Sequence, residues 1–154
     1  MAIHALSKVE LSYHKGKIGE LTPDSKRLWG EMTVTRMLCH LRTSIEQSID
    51  PNAKVKIITP PIIRDVVGWL LFDVLTNWPK GMFKSPKELT PETDKDFAEE
   101  KRLLFDAMDR FASAAEKKPD ERHVSPVLGS ITLKRWARAH GVHLNHHFRQ
   151  FGLL

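Results

Sequence analysis

The segment TLKRWARAHGVHLNHHFRQFGLL, residues 132–154, predicts a helix whose buried face contains histidine where helical bundles usually contain leucine. Helical spacing places one row of its side chains on the inward face: Leu133, Trp136, Ala137, His140, His143 or Leu144, His147 and Phe151. Burying neutral imidazoles costs free energy unless each polar nitrogen finds a partner. The segment therefore predicts either hydrogen-bonded core histidines or a metal site inside a helical core.

The spacing of two of these histidines favours a metal. His143 and His147 are four residues apart, so their rings lie one turn above each other and can present two nitrogens to one point. A third ligand is offered by His40, at the edge of the apolar face of a second predicted helix, with Ser44 one turn further on. Three neutral histidines that leave a coordination position open are typical of a catalytic site for a divalent transition metal such as zinc, nickel or iron.

The remaining histidines and the last polar residues have two interpretations each. His140 either competes for a ligand position or lines the pocket, and His146 either supports the ligands or faces solvent. Arg149 and Gln150 either orient a ligand or metal-bound water, or are a helix-end charge and a surface residue. We expect three histidines at the surface: His4, His14 and His123.

Two known metal-site patterns are absent from the sequence. The pair His143 and His147 forms an HxxxH motif, but Leu144 stands where a zinc protease has its glutamate base. No ExxH motif occurs on the other predicted helices, which disfavours a carboxylate-rich di-iron bundle. Cys39 adjoins His40 but projects about 100° away around the helix, so we interpret it as a small buried residue.

Helical periodicity dominates the rest of the chain. It predicts four substantial helices, in residues 33–49, 62–75, 93–116 and 132–154, and shorter ones in residues 1–21, with a break near Gly16, and after residue 22. The helix at 62–75 is predicted to be well buried, and the predicted caps are Thr33, Thr93 or Asp94, and Thr132. Residues 82–91 and 119–131 read as loops, and residues 55–58 allow at most a brief strand. The pattern predicts an all-α fold, a helix bundle with short extra helices and long connecting loops, in a single domain of residues 1–154.

Composition limits the partners and the compartment. The single cysteine among 154 residues excludes an internal disulfide framework and suits the cytoplasm. No apolar run is long enough to span a bilayer, and the first residues lack the order of a signal peptide. The net charge of +5 comes from scattered lysines and arginines, so we do not expect a nucleic-acid partner.

Four stretches resemble the uncharacterised branch of the DinB-like superfamily. They are WGEMT at 29–33, MLCHL at 37–41, WPKG at 78–81 and, most specific, HLNHHFRQFG at 143–152. The resemblance covers most of the chain. It implies a four-helix bundle with a three-histidine metal site, at the same His40, His143 and His147 that the spacing selects.

The resemblance also implies an activity. Characterised relatives in that superfamily include transferases and isomerases that use low-molecular-weight thiols, so the first functional hypothesis is a metal-dependent thiol transferase with a small-molecule substrate. A metal-dependent hydrolase is the second, since a metal lowers the pKa of bound water toward about 7. The third is a non-catalytic helical bundle with structural histidines, acting as an interaction protein and forming a homodimer through an exposed helix face.

Overall fold

The computed structural model describes residues 3–81, 85, 87 and 90–154. Within these residues the fold is mainly helical, as the sequence predicts, with one small antiparallel sheet of two strands. The elements in chain order are α1 (Leu11–Gly19), α2 (Val34–Ile49), α3 (Pro61–Trp69), α4 (Phe97–Lys117), β1 (Arg122–Ser125), β2 (Gly129–Thr132) and α5 (Leu133–Gln150). The predicted loop at 82–91 lies mostly outside the described residues.

Two threonines define the starts of the helices that hold the candidate ligands. Thr33 Oγ1 accepts a hydrogen bond from Arg36 N at 3.3 Å, and Thr132 Oγ1 accepts one from Arg135 N at 3.1 Å. Each bond satisfies an amide that has no partner within its helix. Both caps were predicted, and α2 ends at Ile49 before Asp50, also as predicted.

Other helix boundaries differ from the predictions. The cap of α4 is Asp96, whose carboxylate accepts from Glu99 N at 2.7 Å, rather than Thr93 or Asp94. The first helix begins only at Leu11 and continues without a break through Gly16. The residues after Thr22 form a turn stabilised by Ser25 Oγ, which accepts from Thr22 N at 2.9 Å, and not a turn of helix.

The predicted loop at 119–131 is wrong, because most of it is a hairpin. β1 pairs with β2 in antiparallel register, and Ser125 faces Gly129 across a three-residue turn. Ser125 Oγ accepts from the amides of Val127 and Leu128 at 3.3 and 3.1 Å, and Gly129 has the positive φ of 69° that closes such a turn. Residues 55–58 form no strand, although Ile58 N donates to Pro126 O at 2.8 Å and ties this connector to the hairpin.

The third helix was predicted to be well buried, and this prediction is also wrong. α3 starts with Pro61 at its first turn and continues into a π-helical turn at Leu70–Val74. Its inner side is narrow, with Gly68 against Leu128 and with Leu71 and Phe72 buried. Its outer side leaves large apolar side chains exposed, among them Ile62 at 95% and Val66 at 63%.

The core lies between α1, α2, α4 and α5, which contact one another and bury Phe111, Phe148 and a set of leucines and methionines. One ion pair is buried with them: Glu100 on α4 is fully buried and accepts from Arg42 Nε on α2 at 2.9 Å and from Thr93 Oγ1 at 2.9 Å. Because the buried carboxylate has both partners, it joins α2 to α4 without an unpaired charge. The Arg42 pKa is raised by this bond to Glu100.

Gly141 in the middle of α5 allows the residues before α1 to cross this helix. Leu6 N donates to Ala137 O at 2.8 Å, and a Cβ at position 141 would lie only 2.3 Å from His4 O. The glycine therefore lets the backbone of residues 4–6 lie against the helix, although it weakens the helix by about 1 kcal/mol relative to alanine. No helix in the described part of the chain is long and apolar enough to cross a bilayer.

We expect Gly141→Ala to destabilise the protein by roughly 1 to 3 kcal/mol, because the new methyl group overpacks against backbone that cannot rotate away. Helix propensity alone predicts the opposite sign. The matched control is Gly16→Ala in α1, where a Cβ meets nothing within 4 Å and should stabilise by up to about 1 kcal/mol. Urea unfolding measures both, and a Gly141→Ala chain as stable as Gly16→Ala would contradict this placement of residues 4–6.

Candidate metal centre

Three histidines from two helices converge at one end of the core. His40 Nε2 lies 2.8 Å from His143 Nε2, and His143 Nε2 lies 3.1 Å from His147 Nε2. The candidate ligand atoms of all three lie within 4.8 Å of one another. His40 and His147 are buried and His143 is partly exposed. This is the group that the sequence spacing selects, and it is close enough to hold one metal ion.

The distances suit an ion bound by the three Nε2 atoms. In a tetrahedral zinc site with bonds of about 2.0–2.1 Å, ligand nitrogens lie roughly 3.3 Å apart. The two shorter separations, 2.8 and 3.1 Å, differ from this by a few tenths of an ångström. Small side-chain rotations would close that difference. No carboxylate or thiolate joins the group among the residues that the structure describes.

Gln150 determines which nitrogen of His147 faces the group. Its Oε1 lies 2.8 Å from His147 Nδ1, and its Nε2 donates to Trp29 O at 3.1 Å. Because the amide nitrogen donates to Trp29, the amide oxygen is the atom left to accept from the ring, which places the proton on Nδ1. The lone pair of Nε2 then points toward His143, as a metal ligand requires.

Burial keeps these imidazoles neutral. The pKa of His147 and that of His143 are lowered well below the usual value of 6.5, chiefly by burial and further by the neighbouring His40. A neutral imidazole binds a metal without first losing a proton. At neutral pH, protons therefore do not compete with a cation for these two residues.

A pocket of about 530 Å³ opens onto the group. His143, His147 and Gln150 line its inner end, and its sides are mixed in character. Trp29, Trp78 and Met32 are among the aromatic and apolar residues, and Arg36, Lys87, Glu31 and Thr90 are among the polar ones. A small molecule in this pocket would reach the histidines with one end and apolar side chains with the other.

His146 lines the same pocket, whereas His140 does not belong to the group. The His146 ring lies 5.4 Å from the Trp78 ring and 6.2 Å from the Trp29 ring. His140 is buried against Trp136 and lies 2.8 Å from Ser48 Oγ, with its pKa lowered to about 3 by burial. Because the Ser48 hydroxyl donates to Ile45 O, its lone pairs are left to accept from His140 Nε2. His140 is therefore a hydrogen-bonded core histidine: it neither belongs to the three-histidine group nor lines the pocket, the two roles expected from the sequence.

The other predicted site residues have local partners. Ser44 is buried and its hydroxyl donates to His40 O at 2.9 Å, which satisfies the buried hydroxyl within α2. Arg149 is partly exposed and its Nη1 donates to Thr76 O at 3.4 Å. Cys39 is buried, as expected, with its sulfur 3.6 Å from Arg42 Nη2.

The surface prediction is wrong for His14. This residue on α1 is fully buried, with Nε2 3.2 Å from Ala5 O, and burial lowers its pKa. His4 and His123 are partly buried and pair with Glu10 and Glu121, at 2.8 and 2.9 Å. No periodicity marked His14, because the segment that covers it, residues 3–10, is irregular and gives no helical pattern.

Sequence reasoning missed Arg36 and the two tryptophans of the pocket. Arg36 precedes His40 by four residues, and this spacing alone places the guanidinium on the ligand face of α2. Trp29 and Trp78 entered the sequence argument only through the resemblance. Their positions in the pocket lining depend on connectors between helices, which have no periodicity to analyse.

The fold and the site define a mainly helical protein whose three-histidine group is able to hold a metal ion. A family model described as protein of unknown function, DUF1569, matches residues 6–152, and the chain belongs to this family. The match includes every helix and all three histidines. Comparison with curated proteins and with solved structures found no match.

Proposed function

We propose that the chain is a DinB-like four-helix bundle that binds one divalent transition metal through His40, His143 and His147. The helices of the bundle are α1, α2, α4 and α5, with α3 as an addition. The observation that supports the metal is the approach of three Nε2 atoms, 2.8 and 3.1 Å apart, with one ring oriented by Gln150. Zinc, nickel and iron all accept such imidazole ligands.

The proposed reaction is thiol transfer to a small electrophile. A bound divalent ion would lower the pKa of a thiol that shares its coordination and so supply a nucleophile at neutral pH. The proton passes to water, the sulfur forms a bond to the electrophilic carbon, and the group displaced from that carbon leaves with the electrons of the broken bond. The chain's own contribution is to hold the ligand rings and to shield the sulfur between Trp29 and Trp78.

Hydrolysis is the weaker alternative. Metal-assisted hydrolysis usually employs a base that takes a proton from the attacking water, and Leu144 occupies the position of that base in an HExxH helix. The one acidic side chain in the described lining of the pocket is Glu31. A thiol needs no such base once its proton is lost. A thiol substrate also fits the reducing cytoplasm, where we place the protein.

We expect protein purified without a histidine tag to contain about one transition-metal ion per chain, measured by elemental analysis. His40→Ala and His143→Ala should each lose the metal, because two imidazoles hold an ion far less tightly than three. His123→Ala is the matched control, since this histidine pairs with Glu121 away from the group. Metal retained in both ligand variants, or absent from the wild type after refolding with zinc, nickel or iron, would refute the site and favour a structural role for the histidines.

We expect metal-loaded protein to accelerate the reaction of a low-molecular-weight thiol with chlorodinitrobenzene by roughly tenfold over metal-stripped protein at pH 7. The physical reason is that a free thiol with a pKa of about 8.5 is only a few per cent thiolate at this pH. A panel of cysteine, glutathione and coenzyme A is followed by absorbance, with His143→Ala as the inactive control. Equal rates in loaded and stripped protein across the panel would exclude thiol transfer, while leaving metal binding intact.

A further inference from the structure

Arg36 lines the pocket, and its side chain has no hydrogen-bond or ion-pair partner among the described residues. Its Nε is buried and has no hydrogen-bond partner, and its guanidinium forms no ion pair with any residue that the structure describes. By contrast, Arg42, six residues further along α2, binds both Glu46 and Glu100. Arg36 as a whole is half-exposed, but an N–H group buried without an acceptor costs free energy, and a ligand in the adjoining pocket could supply that acceptor.

The surroundings of Arg36 are positive. It occupies the first turn of α2, where the helix dipole disfavours a cation and where no acidic residue offsets it. Lys87 lines the same pocket, and Glu31 is the one acid in the described lining. Because the candidate ligands are three neutral histidines, a divalent ion there would keep its full charge of about +2. The pocket therefore favours an anionic ligand.

We propose that Arg36 binds a carboxylate of the same small molecule whose thiol reaches the histidine group. This inference rests on the proposed function and names the class of its substrate: a short mercaptocarboxylic acid or a larger thiol that contains this unit. Arg36 and His40 are four residues apart on one helix, so their Cβ atoms lie about 5–6 Å from each other. A sulfur and a carboxylate separated by a few atoms can contact both. The planar fork of arginine fits the two oxygens of a carboxylate.

The test compares two thiols of the same chain length, mercaptopropionate with a terminal carboxylate and mercaptopropanol with a neutral hydroxyl, binding to cobalt-substituted protein. Metal content is measured first, and the visible spectrum of the cobalt then reports binding of the sulfur. The wild type should bind the acid about tenfold more tightly than the alcohol, as a charge-assisted hydrogen bond implies. Arg36→Met should reduce this preference to within about twofold, and Arg36→Lys should restore part of it. Arg102→Met, which removes an exposed arginine on α4, is the charge-matched control and should keep the preference.

The outcomes separate this inference from the proposed function. If cobalt is bound and both thiols bind, but the preference is absent or survives Arg36→Met, the carboxylate proposal is wrong and metal binding stands. If cobalt is bound and neither thiol changes its spectrum, the thiol substrate and the carboxylate proposal both fail. If no cobalt is bound by the wild type, the metal centre itself is refuted.

A second, independent observation is the apolar outer face of α3. Six large side chains are exposed by 39–95% at the spacing of one helix face continued into the π-helical turn: Ile62, Ile63, Val66, Trp69, Leu70 and Val74. They expose roughly 400 Å² together, and Ile57 and Ile58 raise this to roughly 500 Å², at about 100 Å² for a whole aliphatic side chain and 200 Å² for tryptophan. This area lies within the range of the largest patches of typical monomers, about 300–600 Å², which often have a function.

We propose that this face binds the same face of a second copy of the chain. Two copies would bury about 1,000 Å², which reaches the roughly 1,000 Å² that a specific interface needs. The charges of α3 itself are Arg64 and Asp65, which cancel, so two copies meet without repulsion. A helix that binds an anionic membrane has an excess of lysine or arginine on its polar side, and α3 does not. The area and the charge of this face therefore favour a symmetric dimer, in which a second copy of the chain covers it.

Sedimentation equilibrium should show a wild-type dimer at micromolar concentrations, and Ile62→Asp and Val66→Asp should each shift the chain to monomer. Val9→Asp is the matched control, because Val9 is 88% exposed, lies outside α3 and should leave the dimer intact. Circular dichroism should show unchanged helix content in all three variants. A monomeric wild type, or dimers that persist in both α3 variants, would overturn the proposal. If that monomer floats with phosphatidylglycerol vesicles and Val66→Asp does not, the face is assigned to a membrane instead.

Discussion

The close approach of His40 to His143 and His147 is the constraint on which the arrangement of α2 and α5 depends. Nε2 atoms of residues 103 positions apart in the chain lie 2.8 Å from each other. Two neutral imidazoles at this distance attract only if one donates its proton to the other, and a third ring at 3.1 Å cannot be satisfied by the same proton. A single cation would satisfy all three lone pairs at once.

Two other histidine nitrogens on α5 have hydrogen-bond partners within the protein. His140 has Ser48 as its partner, and His147 uses its second nitrogen for Gln150. Each of these bonds removes a polar atom from the cost of burial. The nitrogens that remain, the three Nε2 atoms, face one another and the pocket. Not every buried polar group of α5 is paired, since the Asn145 side chain has no hydrogen-bond partner among the described residues.

The helices and the histidine group were predictable because both depend on local geometry. Periodicity identifies the buried faces of α2, α4 and α5, and capping chemistry identifies Thr33 and Thr132, since these bonds form within one turn. The i, i+4 spacing of His143 and His147 determines their proximity in any helix. Only the addition of His40 required an assumption about tertiary structure, namely that α2 and α5 pack with these faces together.

The wrong predictions concern features that sequence periodicity does not report. The apolar residues of α3 follow the helical period, but the period shows that a face is apolar and not that the same chain covers it. The hairpin at 122–132 was not predicted, because the serine, proline and glycine that form its tight turn are also typical of a long loop. His14 and Gly141 are explained by the crossing of residues 4–6 over α5, a contact between an irregular segment and a helix.

Charge connects the ligand set to the choice of substrate. A site with carboxylate ligands neutralises its ion, whereas three imidazoles leave the positive charge for the substrate to balance. Arg36, one turn before His40, adds to that charge when it has no acid beside it. If the protein used the ion only to stabilise the bundle, an aspartate or glutamate at position 36 or beside it would serve better. The proposed anionic substrate would balance both positive charges, because its carboxylate would accept from Arg36 while its sulfur reached the ion.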